Sequence, residues 1–262
     1  MRRFTLILAL ALAATLPSAA ADRGDTKEAF ILPGDSVIPQ IATGGGSLFM
    51  TFQFVGITDT AATVTLSFFD GAGDPMAIPY MQDGQEIVSD TLTETVAPGG
   101  FEVARTVIGA ESVQVGYARV SSAPENSVAV SVAFNQVVPG RPLFQAFIPL
   151  DTVLHNRFFV PALNTGGFTG SMAIVSLIQQ DVTFIARNNN GVELCREARK
   201  FAAGQHTAFL FRDRLACTAG VDTVIEVVGS EDFGLAGFGL TAEDSGAFVT
   251  QPVFGPEIPL LL

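Results

Sequence analysis

The chain has 262 residues, with 14 Lys plus Arg against 26 Asp plus Glu, two His, two Cys, no Trp, 22 Phe and a net charge of −12. At 48% hydrophobic and 15% charged residues it is the opposite of a composition that keeps a chain disordered, and its length suits one large or two small domains. An acidic chain without clustered Lys and Arg is not built to displace counterions from a phosphate backbone, which argues against nucleic acid as a partner.

In chain order, residues 1–21 read as a cleaved signal peptide. Arg2 and Arg3 precede an apolar run from Leu6 to Leu16, and Pro17-Ser18-Ala19-Ala20-Ala21 supplies a small-residue cleavage site. The run is about half of the roughly 20 residues that a spanning helix needs, and the C-terminal tail, residues 257–262, is shorter still, so no stable membrane span is expected. No Cys lies near the cleavage site for lipidation. The mature chain from Asp22 keeps 12 basic against 26 acidic side chains, a net of −14. The expectation is an exported protein, periplasmic or extracellular. Arg23-Gly24-Asp25 at the new N-terminus matches an adhesive tripeptide, and processing-site polarity explains it more simply.

The apolar stretch Ala29, Phe30, Ile31 and Leu32 precedes the first recurrent motif. It reads either as the first strand of its own domain or as a strand added to a partner or exchanged with it. Segments 47–55 and 63–69 are rich in β-branched and aromatic residues and read as strands. Asp70-Gly71-Ala72-Gly73-Asp74 follows as a hairpin turn, because Gly permits the positive φ that such turns need. Further strands are predicted at 100–107, 112–121, 127–134 and Phe144–Ile148. Long helical periodicity is absent beyond the signal, so the fold class is all-β.

Self-similarity sharpens this reading. Ile38-Pro39-Gln40-Ile41-Ala42-Thr43-Gly44-Gly45 returns as Val160-Pro161-Ala162-Leu163-Asn164-Thr165-Gly166-Gly167. Val64-Thr65-Leu66 and its Asp70 turn return as Val182-Thr183-Phe184 and Asn188-Asn189-Asn190-Gly191. Pro98-Gly99-Gly100 corresponds to Ala203-Gly204-Gln205, and 113–122 to 221–230. Both copies close on Phe and Pro, at Phe147-Ile148-Pro149 and Phe248-Val249-Thr250-Gln251-Pro252. The expected organisation is two tandem immunoglobulin-like β-sandwich domains, residues 29–149 and 159–256, joined by a short linker at 150–158 and packed together.

On the apolar-Pro plus Thr-Gly-Gly motif, the Asp-Gly-Ala-Gly turn, the Pro-Gly-Gly segment and the closing Phe-Ile-Pro, the chain resembles a class of uncharacterised exported bacterial proteins with tandem β-sandwich repeats. The resemblance implies a fold and a location and brings no catalytic residues with it. The second copy departs most, with Asn in the turn and both cysteines.

Cys195 and Cys217 are an even pair in an exported chain, which predicts a disulfide. A Ser-His-Asp or Cys-His site would have to use His155 or His206, yet no G-x-S-x-G elbow accompanies them. Gly44-Gly45-Gly46-Ser47 looks like an oxyanion loop, but its copy Gly166-Gly167-Phe168-Thr169 lacks the Ser, so the shared turn is architectural. Glu86, Asp90 and Glu94 cluster, as do Glu231 with Asp232 and Glu243 with Asp244; a solvated acidic surface is the simpler explanation than a carboxylate pair for glycoside hydrolysis. Asp70 and Asp74 could serve calcium, but the run lacks EF-hand order and its counterpart is Asn, which favours a plain turn.

Without Trp and with only Tyr80 and Tyr117, the chain lacks the usual stacking residues of sugar-binding faces. Phe52, Phe54, Phe68 and Phe134 suit dry cores or a dry interface. An outer-membrane barrel is disfavoured by the missing Trp girdle and the sandwich-sized repeat. The reading is a non-enzymatic structural or protein-binding module with no cofactor, acting on a protein partner or by self-association. The alternative is a hydrolase whose site assembles between the two domains.

Overall fold

The computed structural model describes residues 36–255 except 110, 111, 152, 153 and 245. The expected signal peptide, Arg23-Gly24-Asp25, the expected strand segment Ala29, Phe30, Ile31 and Leu32, and the tail 257–262 lie outside the described residues. The fold is all-β, with helical turns described at Phe211–Arg214 and Ala216–Thr218.

The first half contributes β1 (Ser36–Gly44), β2 (Leu48–Gly56), β3 (Ala62–Asp70), β4 (Ile78–Gln82), β5 (Gln85–Ser89), β6 (Thr91–Val96), β7 (Phe101–Thr106), β8 (Val113–Ala123), β9 (Val128–Gln136) and β10 (Phe144–Ile148). The second contributes β11 (Arg157–Ala162), β12 (Phe168–Ser176), β13 (Gln180–Arg187), β14 (Glu193–Phe201), β15 (Gln205–Leu210), β16 (Thr223–Gly229), β17 (Leu235–Glu243) and β18 (Phe248–Gln251).

In the second half the strands form two four-stranded sheets, β11-β16-β13-β14 and β15-β12-β17-β18. In the first half ten strands form one network, which departs from the expectation of two separate sheets. Its two layers, β1-β8-β3-β6 and β5-β4-β7-β2-β9-β10, are joined by the pairing of Gly44 with Leu48 at the β1–β2 corner, so the sheet is nearly barrel-like. Once the β4–β5 hairpin is set aside, the pairing orders of the two halves coincide. β1-β8-β3-β6 matches β11-β16-β13-β14, and β7-β2-β9-β10 matches β15-β12-β17-β18. The recurrent octapeptides therefore occupy the same place, since Ile38 pairs with Ala118 on β8 and Val160 with Ile225 on β16. Each runs into a glycine turn with positive φ, 101° and 60° at Gly44 and Gly45, 63° and 88° at Gly166 and Gly167. Only glycine adopts such values at no steric cost.

The Asp70 turn makes the same point atom by atom. Asp70 Oδ1 accepts from the backbone N–H of Ala72 and Asp74 at 2.8 and 3.0 Å. Asn188 Oδ1 accepts from Asn190 and Val192, both at 3.0 Å. The turn uses one side-chain carbonyl-type oxygen and is indifferent to charge, so the calcium reading of Asp70 and Asp74 gains nothing from the geometry.

Each half has its own core. Phe52, Phe54 and Phe68 are fully buried in the first, Phe158, Phe184 and Phe211 almost fully in the second. Burying each such ring contributes roughly 1.5–3 kcal/mol. Phe134 is only half-buried. The segment 78–96, where no strand is predicted above, forms β4, β5 and β6. Its turn is Asp83-Gly84, both at positive φ, a two-residue hairpin signal outweighed by the polar composition around it.

Candidate functional site

The two halves meet across two sheet faces. Along β12, Met172 and Ile174 point into the second core, while Ala173 packs on the first core and Val175 on a small cluster with Val37, Tyr117, Leu177 and Ala236. Phe238 on β17 also packs on the first core. Small side chains at Ala173 and Ala236 let the layers approach.

Polar contacts clasp this junction. β1 carries a bulge between Ile38 and Ile41, absent from β11, at Pro39-Gln40. One extra residue locally re-aims a strand, and Gln40 Oε1 lies 3.0 Å from His206 Nε2 on β15. The His206 backbone N–H donates to the Gly71 carbonyl at 3.1 Å. The Asp70 turn sits so close to the opposing turn that a Cβ on Gly73 would lie 2.9 Å from the Gly204 oxygen. In the linker, Asp151 exchanges two backbone hydrogen bonds with Val37, at 2.8 and 2.9 Å, and its Oδ2 accepts from Gly237 N–H at 2.9 Å.

Burial governs titration here. It pushes the His206 imidazole down to about 4, against an opposing hydrogen bond to the Pro39 backbone. It pushes the Asp151 carboxyl up to about 7, with the Gly237 N–H pulling the other way. Tyr117, stacked on Phe69 with centroids 5.1 Å apart and facing His206 at 6.4 Å, is raised to about 12 by burial. His155, in the linker, is lowered by burial and packs edge-on against Phe158.

Beside the clasp lies a cavity of about 490 Å³. Leu48, Phe134 and Ile148 line it from the first half, Phe238, Leu240 and Phe248 from the second. Phe134 and Phe248 meet there with centroids 5.1 Å apart. The polar lining comprises Gln40, Ser47, Ser112, Gln136, Ser171 and Thr250; among the described residues no Asp, Glu, Lys, Arg or His lines it. Ser171 Oγ is spent on the Leu240 carbonyl at 3.0 Å. Gln136 is only 9% exposed, and its Oε1 has no hydrogen-bond partner among the described residues.

Cys195 on β14 and Cys217 in the helical turn after β15 form a disulfide, Cα atoms 6.2 Å apart. It pins the β15–β16 crossover to an outer strand. Among the described residues no group of three or more His, Cys, Asp or Glu is placed to hold a metal. Glu86 lies on β5, Asp90 between β5 and β6, and Glu94 on β6, where burial raises it against a hydrogen bond from Gln82. Ser47 lines the cavity, and its N–H closes the β1–β2 turn on the Gly44 carbonyl at 3.3 Å.

Sequence reasoning missed the Gln40–His206 contact, the cavity and one ion triad. In the triad, Glu226, with its side chain 4% exposed, receives Nε of Arg157 at 2.7 Å and Nε of Arg187 at 2.6 Å. Burial raises its carboxyl, and the two guanidinium hydrogen bonds outweigh that and hold it below the usual range. An isolated Glu amid the apolar run of β16 was the available signal. No protein-family model, curated protein or solved structure matches the chain.

Proposed function

We propose that the chain is an exported, non-catalytic binding module of the bacterial cell surface or periplasm. It comprises two immunoglobulin-like β-sandwich repeats, residues 29–149 and 159–256, joined through 150–158. Its working part is the junction between the repeats. The observation that carries this reading is the apolar cavity walled by both halves, because pockets between domains with few convergent polar groups are the usual form of a binding site. Export is supported by the N-terminal Arg-apolar-small pattern and by the disulfide, which persists in oxidising compartments. The hydrolase alternative has less support. Among the described residues the cavity lining offers no acid or base, and the junction's His206 and Asp151 face an amide and a backbone N–H.

The test is osmotic release from the native host followed by two assays on the full mature chain: uptake of a neutral fluorescent apolar dye, and turnover of ester and glycoside substrates. Release with dye uptake and no turnover is expected. Turnover that disappears in His206→Gln or Asp151→Asn would replace this reading with the hydrolase.

A further inference from the structure

Whatever fills the junction cavity, we infer that a second copy of this chain docks on the outer face of β2 and β7 in the first half. It presents the outer face of β11, β16 and β13 in its second half, so that copies join head to tail through a repetition of the internal junction. Because the pairing orders of the two halves coincide, each junction position has a counterpart in the other half. The second half docks through Val175, Leu177, Ala236 and His206, none more than 4% exposed. Their counterparts are Gln53, Val55, Ser131 and Val103, since Val175 pairs with His206 and Ala236 as Gln53 pairs with Val103 and Ser131. Val55 and Val103 are each 39% exposed, and Phe101, opposite Val55, is 56% exposed. Apolar side chains gathered on one outer face mark an interaction surface, whereas a unit that caps a stack of repeats carries a polar one.

The receiving side recurs as well. The first half receives on Val37, Tyr117 and Phe69, the first two only 1 and 3% exposed. Their counterparts are Phe159, Val224 and Arg187, because Phe69 pairs with Tyr117 as Arg187 pairs with Val224. Phe159 and Val224 are only half-buried. One chain therefore keeps one face of each kind open, the docking face on its first half and the receiving face on its second. Two different faces that fit each other make a heterologous contact, which propagates into a ring or a filament. The sequence ahead of the first half points the same way. Ala29-Phe30-Ile31-Leu32-Pro33-Gly34-Asp35-Ser36-Val37 repeats Ala146-Phe147-Ile148-Pro149-Leu150-Asp151-Thr152-Val153 with one residue inserted. The stretch that carries the first half into the second thus also stands ahead of the first half, as suits a unit that follows another.

The test is sedimentation velocity of the full mature chain over a concentration series. The wild type should form dimers and longer species as concentration rises. Val103→Glu blocks the docking face and Val224→Glu the receiving face, so each variant alone should lose all association. An equimolar mixture of the two should form a one-to-one dimer and stop there, because each contributes the face that the other lacks. Circular dichroism and the intact disulfide certify that the variants fold, and Phe159→Gln takes the place of Val224→Glu if that variant does not. A wild type that stays monomeric throughout would overturn the proposal; if it then associates once residues 22–33 are removed, that segment of the same chain holds the face. Association that survives Val103→Glu would overturn the docking face. Association lost in Val103→Glu but kept in Val224→Glu would mean that two first halves pair with each other, and a mixture that stays monomeric would refute the head-to-tail match. None of these outcomes is read through dye uptake or turnover, so failure here and failure of the cavity reading are distinguishable.

Discussion

Two sheets with the same pairing order meet different surroundings. In the second half, β15-β12-β17-β18 is covered on both faces, by its own core and by the first half. In the first half, the equivalent β7-β2-β9-β10 buries Phe54 and Ala104 inward and leaves Val55, Phe101, Val103 and Phe147 between 39 and 56% exposed. The difference is written in the strands. All of Gly170–Ser176 on β12 is buried, whereas β2 passes from buried Phe54 to exposed Val55. Sheets covered on both faces read as continuous apolar runs, and half-covered ones alternate. One topology therefore serves as an internal layer or an outer wall according to which side chains occupy its second face.

The sharpest way to break this comparison is to truncate one aromatic on each face. Phe238→Ala on the docked face should cost about 3–5 kcal/mol of stability by urea unfolding, while Phe101→Ala on the exposed face should stay within about 0.5 kcal/mol. Equal costs would mean that the two faces are not differently covered. Next in size is the staple that only the second half carries. Thiol titration of the denatured, unreduced protein should find no free thiol, and Cys195→Ser with Cys217→Ser should lower stability by about 2–4 kcal/mol.

The turn shared by the halves predicts a smaller contrast. Asp70→Ala loses two backbone hydrogen bonds and should cost about 1–2 kcal/mol. Asp70→Asn, which imports the chemistry of Asn188, should leave the unfolding midpoint nearly unchanged.

The contrast inside the junction lies in the direction of its pH dependence. His206 has its folded value lowered from 6.5 to about 4, so its contribution is full above 6.5 and is lost as pH falls toward 4. Asp151 has its value raised from 3.8 to about 7, so its contribution is full below 3.8 and is lost as pH rises toward 7. The two slopes oppose each other over one window. Relative to the wild type, Asp151→Asn should gain stability as pH rises from 4 to 7, and His206→Gln should gain as pH falls from 6.5 to 4. Parallel curves for either variant would show that its group does not titrate inside the junction.

Much of this architecture was legible in the chain. The all-β class follows from β-branched and aromatic segments between Gly and Asp clusters, the disulfide from an even pair of cysteines, and the equivalence of Asp70 with Asn188 from aligned motifs. These are local signals or internal copies. The junction left no comparable trace, because its contacts join residues far apart: Gln40 meets His206 across 166 positions. The bulge that aims Gln40 is invisible in Ile38-Pro39-Gln40-Ile41, since the matching Val160-Pro161-Ala162 runs without a register shift. β5 and β6 were obscured for another reason. Gln85–Ser89 and Thr91–Val96 bury only alternate or isolated side chains such as Leu92 and Val96, so their apolar signal is thin.

The central claim is that the halves are docked, and His206 reports on it directly, because it sits on β15 yet bonds to Gln40 on β1. Only His155 shares its residue type, so a nuclear magnetic resonance titration of the imidazoles, with His155→Gln for assignment, isolates its signal. Docked halves place the His206 midpoint near 4. A midpoint near the ordinary 6.5 would mean that water reaches the ring, that the junction is open, and that the cavity between the repeats does not exist in solution.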